Sequence, residues 1–139
     1  MNSIVGDLSF TVETMTEFED GCIPTLDFNM WLSTQEGTPR LHYKFYSKPM
    51  SSRYVVLETS AWAWTSKCVS LLQEVHRRLQ NTSRDLPSQM ELDTLADFQL
   101  KLKRSGYNRE QVRQIMEVGI RGFHAKRRRG EVHRPVTTI

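Results

Sequence analysis

The hydrophobic spacing of this chain changes period once, near Trp64, and that change limits the folds open to it. Before Trp64, apolar residues alternate with polar ones. Leu8, Phe10 and Val12 alternate with Ser9, Thr11 and Glu13; Leu26, Phe28, Met30 and Leu32 with Asp27, Asn29 and Trp31; Leu41, Tyr43 and Phe45 with His42, Lys44 and Tyr46. A period of two belongs to strands with one buried face. Ser33 to Pro39, with Gly37 and Pro39, reads as a hairpin loop of several residues. Pro49 stops the return strand, and Arg53 to Glu58 is a candidate fourth strand.

After Trp64 the spacing is helical. Cys68, Leu71, Leu72, Val75 and Leu79 form one stripe; Leu92, Leu95, Phe98 and Leu102 a second; Val112, Ile115, Met116, Gly119 and Phe123 a third. Thr65 or Ser66 is the expected cap of the first helix. Ser88 with Glu91 is the expected capping box of the second, and Asn108 with Gln111 that of the third. Gly106 is the expected stop between the last two helices. The predicted fold is therefore α+β: a small antiparallel sheet of three or four strands followed by a three-helix, helix-turn-helix-like bundle. Residues 1–60 form the β region, 61–126 the helical region, and 127–139 a basic tail expected to be disordered.

Charge separates along the same axis. Residues 1–36 hold seven acids and no Lys or Arg, while all nineteen basic residues lie beyond. That asymmetry points to a polyanionic partner, unless the two ends neutralise one another in the fold. Backbone phosphates require positive groups repeated on one surface. Lys44, Lys48, Arg53, Lys67, Arg77 and Arg78 are the first candidates, followed by Lys101, Lys103, Arg104, Arg109 and Arg113 on the later helices. Arg77 falls opposite the first stripe, and Lys67 and Arg78 at one edge of it.

Other chemistry is thin. His42, His76, His124 and His133 fall on different elements and neither Cys22 nor Cys68 has a close partner, so no metal or cofactor is expected. No Ser or Cys has a neighbouring base along the sequence. Asn81-Thr82-Ser83 matches a glycosylation sequon but reads as a helix end and turn. No apolar run approaches the ~20 residues of a membrane span. The opening residues lack the pattern of a signal peptide, and two thiols make a poor disulfide framework. The expected setting is intracellular, nucleus or cytoplasm.

The order of the short motifs resembles the region after the catalytic aspartates in reverse transcriptases of retroelements, most closely the Penelope-like group. The matching segments are Phe10, Thr11 and Glu13; Ile23, Pro24, Thr25, Leu26 and Asp27; Tyr46, Ser47, Lys48, Pro49 and Met50; His76-Arg77-Arg78-Leu79; and Gly106-Tyr107. Thr25, Ser47 and Met50 depart from that pattern, and the family's Asp-Asp pair is missing. The resemblance implies a palm end with its primer-supporting hairpin, then a thumb or helix-turn-helix region. It further implies a fragment that holds template–primer RNA or DNA without its own catalytic site, with the missing polymerase region as a further partner. A two-metal mechanism needs clustered carboxylates, which this sequence does not offer. The alternative is a non-enzymatic helix-turn-helix DNA-binding or protein-interaction module.

Overall fold

A computed structural model of the chain describes residues 12–130. A single 3-10 turn, Met15–Glu17, precedes three strands, β1 (Ile23–Thr25), β2 (Phe28–Gln35) and β3 (Thr38–Phe45). Three helices follow: α1 (Trp64–Gln80), α2 (Ser88–Arg104) and α3 (Arg109–Arg128). The sheet is antiparallel in the order β1-β2-β3. The α+β arrangement is that expected from the change of period.

Several boundaries differ from expectation. The strand expected over Leu8–Glu13 lies mostly outside the described residues, and Val12 and Glu13 are irregular. The strand expected to begin at Leu26 is two elements, because Leu26 and Asp27 form the turn between β1 and β2. Leu26 holds φ of 49° there, a conformation that a branched side chain adopts at a cost, and it is 81% exposed. The hairpin loop shrinks to Glu36-Gly37, with φ of 52° and 79°. Two positive φ values suit the twist of the flanking strands, so pairing runs on to Gln35↔Thr38. Pro39 therefore sits inside β3, opposite Thr34.

The expected fourth strand, Arg53–Glu58, is a strap with no ladder partner. Its polar groups are taken by the turn between α2 and α3. Val55 N–H donates to Ser105 Oγ (2.9 Å), Glu58 N–H to the Ser105 carbonyl (3.0 Å), and Tyr107 Oη–H to the Val56 carbonyl (2.8 Å). Val55 and Val56 both pack against the helical core, which alternation would forbid.

Of the expected caps, only the third formed. Asn108 accepts from Gln111 N–H while the Gln111 side chain accepts from Asn108 N–H, both at 2.9 Å. The first two helices are preceded by Ala63 and Pro87 and have no side-chain cap. Thr65, Ser66 and Ser88 all lie inside their helices. Gly106 ends the α2 turn with φ of 94°, the conformation that glycine takes most cheaply. α3 continues through Arg128, so the first two residues of the expected tail are helical, and residues 131–139 lie outside the described residues.

The core belongs to the helices. Leu71, Val75 and Leu79 meet Leu95, Phe98 and Leu102, and Tyr107, Val112, Ile115 and Phe123 close it. Leu92, expected in the second stripe, is 57% exposed. α1 and α3 approach at Gly119, where an added Cβ would stand 2.9 Å from Val75 Cβ. No sheet residue belongs to this cluster. Hydrogen exchange should therefore show amides of β2 and β3 exchanging faster than those of Leu71–Leu79 and Val112–Phe123. A three-stranded sheet without its own core opens at lower free energy than a packed bundle. Equal protection in sheet and helices would contradict this.

Candidate nucleic-acid interface

The eleven basic residues singled out from sequence fall into three groups. Two are buried. Lys67 lies in the first turn of α1 at 5% exposure, and its ammonium donates to the Glu58 carbonyl, tying the strap to the helix. Arg78, at 2% exposure, is the largest of the fully buried side chains. Its Nε–H donates to Glu74 Oε1 (2.9 Å), and Nη1–H to the Thr94 carbonyl (2.8 Å) and Asp97 Oδ2 (2.9 Å). The guanidinium lies between two rings, 4.5 Å from the Phe45 centroid on β3 and 5.1 Å from that of Phe98 on α2. Neither residue presents a cation to solvent, so the backbone contacts expected of Lys67 and Arg78 do not fit this arrangement. Stripe geometry put both at an edge, but the strap and β3 cover that edge.

Others are exposed or half-buried and already engaged. Arg77 bonds Asp27 (2.8 Å) and Glu74 (2.9 Å) and lies 5.4 Å from the Phe45 ring. The Glu74 hydrogen bond, with Asp27 adding, raises the Arg77 guanidinium above the ordinary arginine range. Part of the acidic end of the chain is thus neutralised within the fold. Arg113 is shared by Glu110 (2.5 Å) and Glu117 (3.1 Å), whose hydrogen bonds raise it further still. Lys44 lies over the Trp31 ring at 5.9 Å, and Lys101 is 4.0 Å from Asp97.

Lys48, Arg53, Lys103, Arg104 and Arg109 make no ion pair among the described residues. Lys103 and Arg109 converge. With Arg113, Gln99, Val112, Met116 and Glu117 they line a groove of about 720 Å³ between the end of α2 and the start of α3. The sequence places them together because Gly106 reverses the chain between two capped helix ends. Arg109 is the first residue of α3, where the helix dipole adds positive partial charge. Lys48 lines a separate groove beside Arg77, with Tyr46 and Ser51. Arg53 stands in the strap region, away from both grooves.

Sequence reasoning missed a clamp in the linker between α1 and α2. Tyr43 N–H donates to Ser83 Oγ (2.7 Å), Ser83 N–H to the Tyr43 carbonyl (2.8 Å), and Phe45 N–H to Thr82 Oγ1 (3.4 Å). The sequon residues therefore close the open edge of β3, and Thr82 and Ser83 are each 1% exposed. His76 is also structural: its Nε2–H donates to the Gly119 carbonyl (3.0 Å), and burial, with Lys126 nearby, lowers its pKa. Among the described residues, no three His, Cys, Asp or Glu side chains are grouped to hold a metal. No described helix is long and apolar enough to cross a membrane.

Comparison with protein-family models, curated proteins and solved structures gave no match.

Removing Arg78 should be a stability defect. Arg78→Ala removes the ties to Glu74, Asp97 and the Thr94 carbonyl and empties the space between two rings, and cutting a large buried side chain to alanine typically costs about 2–5 kcal/mol. Urea denaturation should show that loss, while Arg104→Ala changes stability by less than about 0.5 kcal/mol. Equal, small effects would mean that Arg78 is not the joint described here.

Proposed function

We propose that this chain holds nucleic acid in the groove between α2 and α3, as the palm-end and thumb region of a retroelement reverse transcriptase that lacks the polymerase's catalytic site. The supporting observation is the convergence of Lys103 and Arg109, without ion pairs among the described residues, beside Arg113 and the N-terminus of α3. The motif order argues for the retroelement assignment, and the sheet-then-helices architecture accommodates it. On this reading the partners are template–primer RNA or DNA and the missing polymerase region, and the setting is nucleus or cytoplasm. The resemblance had pointed to the α1 face. Burial of Lys67 and Arg78 argues against that face and favours the later helices.

A second reading rests on the same groove. A helix that follows a tight glycine turn, with an arginine at its first position, is placed as a recognition helix is placed in helix-turn-helix DNA readers. The two readings differ in sequence preference. Backbone holding is electrostatic and indifferent to sequence, whereas base-edge contacts discriminate by about 1–3 kcal/mol each.

Filter binding at several salt concentrations tests both. Lys103→Ala with Arg109→Ala should weaken binding to all duplexes alike and flatten the salt slope by two contacts, each about 0.7–0.9. Arg113→Ala should do less, since two glutamates already share that charge. Loss confined to one preferred duplex supports the reader. An unchanged slope, or no wild-type affinity at low salt, removes both readings.

A further inference from the structure

β2 and β3 carry a cluster that sequence spacing does not reveal. Trp31 pairs with His42 and Ser33 with Arg40 in the ladder, so all four project from one face of the sheet. His42 is 5% exposed, and its ring stacks on Trp31 with centroids 5.5 Å apart. Ser33 Oγ lies 2.5 Å from His42 Nε2. Asp85 reaches in from the α1–α2 linker, its Oδ2 2.8 Å from His42 Nδ1, close but without the alignment of a hydrogen bond. The Ser83 clamp on Tyr43 holds that linker against β3.

A carboxylate at 2.8 Å repels a nitrogen lone pair and favours the proton on Nδ1. Nε2 is then the acceptor, and the Ser33 hydroxyl donates to it. These are the roles of nucleophile, base and orienting acid in serine acyl-transfer sites, which are recognised by geometry and not by chain order.

We propose that Ser33, His42 and Asp85 form an acyl-transfer site that cleaves small activated carboxylic esters. Ser33 Oγ attacks the ester carbonyl carbon as its proton passes to His42 Nε2. The bond to the alcohol oxygen breaks, and that oxygen takes the proton from His42, leaving acyl-Ser33. Water, losing a proton to the same nitrogen, then attacks the acyl carbon. His42 returns that proton to Ser33 Oγ as the acyl bond breaks, and the free acid departs. Asp85 is a positioning residue, acting through His42. This site lies apart from the α2–α3 groove and does not depend on nucleic-acid binding.

The test uses the whole chain with two probes, a fluorophosphonate and p-nitrophenyl acetate. Intact mass and peptide mapping should find one phosphonyl adduct, on Ser33. Ester hydrolysis should fall about a hundredfold in Ser33→Ala and His42→Gln, and by less in Asp85→Asn, with circular dichroism unchanged in Ser33→Ala. The loss in Asp85→Asn should fall on kcat with KM unchanged, which a purely structural role of Asp85 would not produce. Ser33→Ala that retains wild-type hydrolysis, or a wild-type chain left unlabelled at Ser33, overturns the proposal.

Discussion

The arginine sandwich at Arg78 joins the two halves of this chain. Its guanidinium faces the Phe45 ring of β3 on one side and the Phe98 ring of α2 on the other, while Glu74 and Asp97 take its protons. A buried charge is costly unless its donors are satisfied, and here carboxylates from α1 and α2 and the Thr94 carbonyl satisfy them. Just beyond Arg78, Thr82 and Ser83 cap the free edge of β3, and Thr82 donates back to the Arg78 carbonyl (3.1 Å). One helical turn thus positions a strand edge, a linker and a second helix. The helical core fixes α1, and the sheet is held through this joint.

That joint decides what the positive charge can do. Lys67 and Arg78 are buried and Arg77 is paired with Asp27, so the basic residues singled out on α1 present little unpaired charge to solvent. Of the charge without an ion pair among the described residues, Lys103 and Arg109 share a groove where α2 ends and α3 begins, while Lys48 and Arg53 stand elsewhere. The asymmetry of the sequence is therefore partly internal neutralisation and partly a surface, and the two parts fall on different helices.

The helices were largely legible because periodicity over four or more turns specifies a buried face. Leu71, Val75, Leu79, Val112, Ile115 and Phe123 all stand in the core as their spacing required. The strands were legible in number but not in extent. Leu26 continues an alternating pattern, yet its backbone turns, and neither Glu36 nor Pro39 announces that the hairpin needs only two loop residues. The strap escaped because Val55 and Val56 have strand-like composition, whereas their hydrogen bonds go to Ser105 and Tyr107, some fifty residues on. Of the basic residues, Lys48, Arg53, Lys103, Arg104 and Arg109 are exposed and without ion pairs among the described residues. The fates of Arg78 and Lys67 depended on β3 and the strap, which helical phase alone cannot place. The Ser33, His42 and Asp85 cluster was illegible for the same reason: it joins two strands and a linker through tertiary contact.

Heteronuclear NMR with a short duplex tests most directly the claim that the joint is structural and the α2–α3 groove binds. On titration, amide shifts should concentrate between Lys103 and Arg113, and the Nε–H signal of Arg78 should stay fixed, held by Glu74. Movement of the Arg78 signal, with perturbation centred on α1, would contradict it.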